Sequence, residues 1–241
     1  MTAYYNENNG KAANGLRALM ADGLIPEGYI DERSIEDVAP ADLRGFGQCH
    51  FFAGIGGWPL ALRLAGVPDD WPIWTGSCPC QPFSAAGLGG GFDDARHLWP
   101  SFFWLISQCR PAIVFGEQVA RKAGREWLAV VRSDLESAAY AVGAADIPAC
   151  AVGAWHERPR HYWTAHALGV QQWWKEQRRG ASGRVGRVVE PVSWDRDWEG
   201  ALREFRSLDD GLSYGVGVTD GFRNAIVPPL AQAFVDAALA A

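Results

Sequence analysis

The stretch from His50 to Leu64, HFFAGIGGWPLALRL, constrains the fold more than any other part of the chain. His50 to Ala53 reads as a buried strand, Gly54-Ile55-Gly56-Gly57 as a turn, and Leu60 to Leu64 as the start of a helix. Strand, glycine turn and helix in that order make the unit that cradles a phosphate or cofactor in nucleotide-binding α/β folds. Short strands at Ala3–Glu7 and Tyr29–Ile30, the latter ending at Asp31, flank a helix over Ala12–Ala21 that Gly23 stops. Pro40 and Gly45 mark a connection. Downstream, a strand at Ile73–Thr75 runs into a loop over Ser77–Asp94, followed by a helix at Leu98–Gln108 and a strand at Ala112–Phe115. A helix at Glu126–Ala138, a strand at Tyr162–Ala165 and a closing helix over Ala225–Ala240, begun by Pro228-Pro229, complete the series. This alternation predicts an α/β chain with a mostly parallel sheet.

The 241 residues suffice for one such domain with a small appendage, and 48% apolar with 21% charged residues is ordinary for a globular protein. The apolar runs are too short to span a bilayer, and Met1 to Asn9 carries no signal-peptide core, so the expected compartment is the cytoplasm with no membrane partner. Five cysteines argue against a disulfide framework, and Cys78-Pro79-Cys80 is too closely spaced for zinc, so no metal is expected. A net charge of -6 does not advertise nucleic-acid binding, but Lys175 to Arg187 holds five cations and one acid. That run is either a solvated loop or a local contact for phosphates. Residues 167–210 lack the strand–helix rhythm and are expected to form a small inserted subdomain, with residues 1–166 and 211–241 as the main domain.

The loop Pro79-Cys80-Gln81-Pro82-Phe83-Ser84 follows a strand and holds a cysteine between proline and glutamine. Such a cysteine is either a partly exposed thiolate nucleophile or a buried structural residue. Four other segments bear on the choice: Phe51-Phe52-Ala53-Gly54-Ile55-Gly56-Gly57, Glu117-Gln118-Val119, His156-Glu157-Arg158-Pro159-Arg160, and Asn224-Ala225-Ile226-Val227-Pro228-Pro229. Taken in order with the cysteine loop, they resemble the motifs of the DNA cytosine-5 methyltransferase family: its cofactor loop, catalytic loop, Glu-Asn-Val, Gln-x-Arg-x-Arg and closing Gly-Asn-Ala/Ser-Val segments.

The resemblance implies a Rossmann-like S-adenosyl-L-methionine-dependent methyltransferase fold with residues 167–210 as a target-recognition subdomain. It further implies double-stranded DNA as substrate and a monomer. It assigns Cys80, Glu117, Arg158 and Arg160 to catalysis, and Phe52, Gly54, Gly56, Gly57 and Asn224 to the cofactor. The chain departs from the family in order. Only residues 58–77 separate the glycine loop from the catalytic loop, where the family normally has two more cofactor strands. Tyr4-Tyr5-Asn6-Glu7 and Ile30-Asp31-Glu32-Arg33 resemble those strands, so the resemblance implies a circular permutation. Glu7 would then hold the ribose hydroxyls and Asp31 the adenine amino group; both are otherwise surface acids.

Gln118 replaces the family's Asn, His156 its Gln, and Arg223 the Gly before Asn224. The last change admits a degenerate DNA-binding homologue, or a carboxylated donor read by Arg223, as alternatives. A tRNA-directed activity is disfavoured because the loop lacks the cysteine-phenylalanine-threonine signature of that branch. The short subdomain, with Trp173, Trp174 and Trp194 among its cations, predicts a short or relaxed target sequence. The biological setting implied is restriction–modification or a phage.

Overall fold

The computed structural model describes residues 3–79, 98–153, 158–169 and 226–240. Seven strands form one sheet: β1 (Ala3–Asn6), β2 (Gly28–Asp31), β3 (Gln48–Phe51), β4 (Ile73–Gly76), β5 (Ile113–Val119), β6 (Tyr140–Ile147) and β7 (Arg160–Ala167). Their spatial order is β2-β1-β3-β4-β5-β7-β6. The strands from β2 to β5 are parallel, and β7 runs antiparallel to both of its neighbours. The helices are α1 (Gly10–Ala21), α2 (Gly57–Leu64), α3 (Trp99–Cys109), α4 (Lys122–Ser137) and α5 (Pro228–Ala240), with 3-10 turns at Ile35–Asp37, Pro40–Leu43 and Ala149–Val152.

Local chemistry explains the boundaries. The Asn9 side chain accepts the backbone N–H groups of Lys11 and Ala12, so α1 starts two residues before the apolar spacing shows it. β5 is buried along almost its whole length, as expected of a central strand covered on both faces. It runs past the expected end at Phe115 to Val119 and so places Glu117 and Gln118 in the sheet.

β6 was not expected from the sequence. Its residues YAVGAADI are mostly exposed and lack the alternation of a half-buried strand. It exists because all eight of its residues pair with β7 along an edge. For the same reason β7 is longer than Tyr162–Ala165 and ends at Ala167, so the expected subdomain boundary falls inside a strand. Residues 170–210 of that subdomain lie outside the described residues.

The core has two faces. On one, Tyr4, Phe51, Trp74, Val114 and Trp163 pack under the 3-10 turns at Ile35–Asp37 and Pro40–Leu43, α3 and α4, with Trp99 and Phe102 at the centre. On the other, Ala3 and Tyr5 meet Leu16 of α1, while Ile73, Ile113 and Phe115 meet Trp58 of α2 and Phe234 of α5. Thus α1 and α2 share a face although β1→β2 and β3→β4 progress in opposite directions across the sheet. β4→β5 progresses as β3→β4 does, but with α3 on the other face. The β3–α2–β4 crossover therefore has the opposite hand to its neighbours. Given the strong preference for right-handed crossovers, it is the left-handed one. No helix among the described residues is long and apolar enough to cross a membrane.

Candidate active site

The carboxyl ends of the parallel strands form one rim, where open α/β sheets bind ligands. Along it, in sheet order, stand Asp31, Glu7, the glycine loop, the Ser77–Pro79 segment and Glu117, with Arg158 and Arg160 entering from the start of β7.

The glycine loop leaves β3 through Phe52, a non-glycine residue at φ 51 whose ring meets Phe102 edge-on. Gly54 has φ 55, and a Cβ there would find no atom closer than 4.0 Å, so its backbone faces open space. At Gly56 and Gly57 space is short instead. A Cβ on Gly56 would lie 2.9 Å from Leu19 of α1, and one on Gly57 would lie 2.9 Å from Ile226. The loop is thus pressed between α1 and the segment entering α5, and it aims the N-terminus of α2 at the rim. Glu7, one residue past β1, ties the two strand ends together: its carboxylate accepts the Gly54 N–H at 2.7 Å and the Asn9 N–H at 2.9 Å.

Asp31 ends β2 and is buried. Its carboxylate accepts the Tyr4 hydroxyl at 2.6 Å, the Arg33 backbone N–H at 3.0 Å and the Arg33 guanidinium at 2.5 Å. Burial alone raises its pKa, but the Arg33 guanidinium, the Tyr4 hydroxyl and the Arg33 N–H outweigh that and hold it at about 2.

At the other end of the rim, Glu117 and Tyr162 face each other across β5 and β7. Glu117 is buried, and its carboxylate takes the Arg160 Nε at 2.6 Å. Burial pushes the Glu117 pKa up, against the pull of Arg160, Arg158 and a hydrogen bond with Ser77. Arg158, at φ 32, has its own pKa lowered by burial and by the neighbouring Arg160. Ser77 also accepts the Trp58 indole N–H at 3.1 Å. Gln118 points to the opposite face and donates from Nε2 to the carbonyl of Cys78 at 3.1 Å, while its Oε1 accepts the Val119 N–H at 2.9 Å. The longer amide thus reaches the backbone of the loop that leads to Cys80. Cys78 itself is buried.

The structure therefore brings Glu117, Arg158 and Arg160 together at one end of the rim and Phe52, Gly54, Gly56, Gly57, Glu7 and Asp31 at the other. Cys80, Arg223 and Asn224 lie outside the described residues. Sequence reasoning missed Ser77, Tyr4 and Arg33. The alternation Ile73, Thr75, Ser77 would have put Ser77 on the Glu117 face, whereas nothing local marks the Tyr4–Asp31 contact, which spans 27 positions. Among the described residues no cluster of His, Cys, Asp and Glu could hold a metal ion.

Residues 65–179 match the family model described as C-5 cytosine-specific DNA methylase. The Type II methyltransferase M.NlaX of Neisseria lactamica is 28% identical over 166 residues, which cover 64% of this chain and 53% of that protein. The chain therefore spans about half the length of the curated relative it matches. Similar solved structures include a mutant of Spodoptera frugiperda DNMT2, with TM-score 0.43, 14% identity and 70% of this chain over 51% of that one. Another is the S. pombe Dnmt2 methyltransferase, with TM-score 0.42, 14% identity and 83% of this chain over 63% of that one. Through the match of residues 65–179 and the M.NlaX relationship, this part of the chain is similar to the C-5 cytosine-specific DNA methylases.

Proposed function

We propose that the protein methylates C5 of cytosine in double-stranded DNA, with S-adenosyl-L-methionine as donor and Cys80 as nucleophile. The observation that carries the reading is the convergence at the catalytic loop: a buried Glu117 paired with Arg160 at 2.6 Å beside Ser77, and Gln118 hydrogen-bonded to the Cys78 carbonyl two residues before Cys80.

The rim suits the cofactor in part. Gly54 has open space before it, α2 presents its N-terminal N–H groups, and Glu7 stands beside the loop as an acceptor for ribose hydroxyls. Phe52, Gly56 and Gly57 shape that cradle, Asn224 would close it from the segment before α5, and Asp31 would accept from the adenine amino group. Bound there, the cofactor supplies an electrophilic methyl group. We further propose that β1 and β2 are the family's second and third cofactor strands carried upstream, which the order β2-β1-β3 supports.

Cytosine C5 is too weak a nucleophile to be methylated directly. Addition of the Cys80 thiolate to C6 converts C5 into an enamine carbon that accepts the methyl group. Removal of the C5 proton by a base then expels Cys80. Glu117, which burial biases toward its protonated form, donates to N3 as charge develops on the ring. Arg160 holds the Glu117 carboxyl in place, and Arg158 adds positive charge beside the base O2. The base must leave the duplex to reach this rim. Recognition of the DNA is assigned to residues 167–210.

Incubation with S-adenosyl-L-methionine and DNA carrying 5-fluorocytosine tests the reading, because fluorine cannot leave C5 as a proton does. Wild type and Cys78→Ala should form a covalent adduct on a denaturing gel and Cys80→Ala none. An adduct that persists in Cys80→Ala, or is missing from wild type across DNA of varied sequence, rejects the assignment.

A further inference from the structure

The Asp31 carboxylate has no lone pair left to offer. A carboxylate accepts about four hydrogen bonds. Here Oδ2 takes the Tyr4 hydroxyl at 2.6 Å and Arg33 Nη2 at 2.5 Å, while Oδ1 takes the Arg33 backbone N–H at 3.0 Å and Nε at 3.0 Å. Nor does it have an open side, since only 2% of its side chain is exposed. A further donor can reach it only by displacing one of these. The Tyr4 hydroxyl is buried and the Arg33 backbone is fixed at the strand end, but the Arg33 side chain is half exposed. It also has other anchors: Nη2 lies 2.9 Å from Asp42 Oδ2, and Nη1 donates to the Asp37 carbonyl at 3.2 Å. The guanidinium can leave Asp31 without losing all its partners.

We infer that Arg33 is a self-inhibitory plug of the adenine subsite, its guanidinium filling the place on Asp31 that the exocyclic amino group of the cofactor takes on binding. The inference rests on the proposed reading of Asp31 as the adenine acceptor. Both groups are planar N–H donors and they compete for the same oxygens. The apparent affinity is therefore the intrinsic affinity scaled by the fraction of molecules in which Arg33 has swung to Asp42. The plug also makes the subsite selective, because a purine with a carbonyl at that position offers no donor to take over from Arg33.

Calorimetric titration of the full chain with S-adenosylhomocysteine and with S-inosylhomocysteine, whose amino group is replaced by a carbonyl, separates the possibilities. Arg33→Met should bind S-adenosylhomocysteine about tenfold more tightly than wild type, with no gain for S-inosylhomocysteine. Arg33→Gln, which keeps one donor and serves should the methionine variant not fold, should fall between. Ligand-free melting confirms that each variant is folded. If wild type binds S-adenosylhomocysteine and folded Arg33 variants bind it equally or less well, the plug is overturned while the cofactor reading stands. If wild type binds neither ligand, the cofactor reading fails and the plug with it.

Discussion

Replacing Asp31 by Asn should expose how much the fold relies on this one ionised carboxylate. Its pKa drops from an ordinary 3.8 to about 2 in the folded chain, against the upward push of burial, because Arg33 and Tyr4 donate to the charged form. Each pKa unit corresponds to about 1.4 kcal/mol, so ionised Asp31 stabilises the fold by roughly 2 kcal/mol at pH 7. A depressed carboxylate gives its full stabilisation above its unfolded pKa and loses it as pH falls toward the folded one. At pH 3 roughly half of that remains. The assay is urea unfolding of wild type and Asp31→Asn at pH 7, 5, 4 and 3. The gap between them should be constant from pH 7 to 5 and shrink by about 1 kcal/mol by pH 3. His50, buried and with its pKa lowered to about 3 by desolvation, also destabilises the fold in acid, but it does so equally in both proteins and cancels. An Asn side chain turned toward the Arg33 donors adds a penalty that does not vary with pH. A gap of the same size at pH 7 and pH 3 would show that Asp31 is not held ionised by these partners.

Other substitutions probe the remainder of the rim. Gln118→Leu leaves the buried Cys78 carbonyl without its amide donor; it should cost about 1 kcal/mol in urea unfolding and slow adduct formation, with Gln118→Asn intermediate. An unchanged unfolding midpoint would remove Gln118 as a clasp of the loop. Gly57→Ala forces a Cβ to within 2.9 Å of the Ile226 Cβ and should destabilise by about 1–3 kcal/mol, with part of the loss recovered when Ile226→Gly, which removes that atom, is added. Additive losses in the double variant would mean the two do not press on each other. Glu117→Gln keeps the size but cannot deliver a proton; methyl transfer should fall by roughly 10²–10⁴ while S-adenosylhomocysteine binding is unchanged, and a parallel loss of binding would place Glu117 outside the proposed role.

The glycine loop was legible because its demands are local: strand, turn and helix lie within fifteen residues, and Gly56 and Gly57 stand where a Cβ would strike α1 or Ile226. The sheet centre was legible because β5 is apolar on both faces. β6 was not, because an exposed edge strand carries no burial pattern; its partner β7 defines it. Glu7 and Asp31 were expected to hold the cofactor from likeness to motifs; Asp31 ends β2 and Glu7 follows the end of the adjacent β1, and their role there is part of the proposal. The occupation of Asp31 by Arg33 was invisible, since arginine two residues after an aspartate reads as a surface pair. Only the long-range approach of Tyr4 and the burial of β2's end turn it into a closed network. In general, the features missed depend on which strands become neighbours rather than on local composition.

The order of the strands in the chain matters less than their order in the sheet. Asp31, Glu7, Gly54, the Cys78 carbonyl and Glu117 line the rim in sheet order, and a ligand on the rim meets that order whichever segment comes first. Carrying β1 and β2 upstream, as we propose, leaves the rim intact but changes one connection. α2 must now join neighbouring strands β3 and β4, and it cannot move to the opposite face. Its N-terminus has to continue the glycine loop, its Trp58 stacks on Phe115 and donates to Ser77, and α5 packs along it through Leu230 and Phe234. A left-handed crossover follows as the geometric consequence of keeping the cofactor cradle on its face. The disfavoured hand comes from the way a right-twisted strand feeding a right-handed helix packs back onto the sheet, and here the strands are four residues and the helix eight, so little twist accumulates. Short elements with a glycine entry make the uncommon hand tolerable, and the demands of the rim make it necessary.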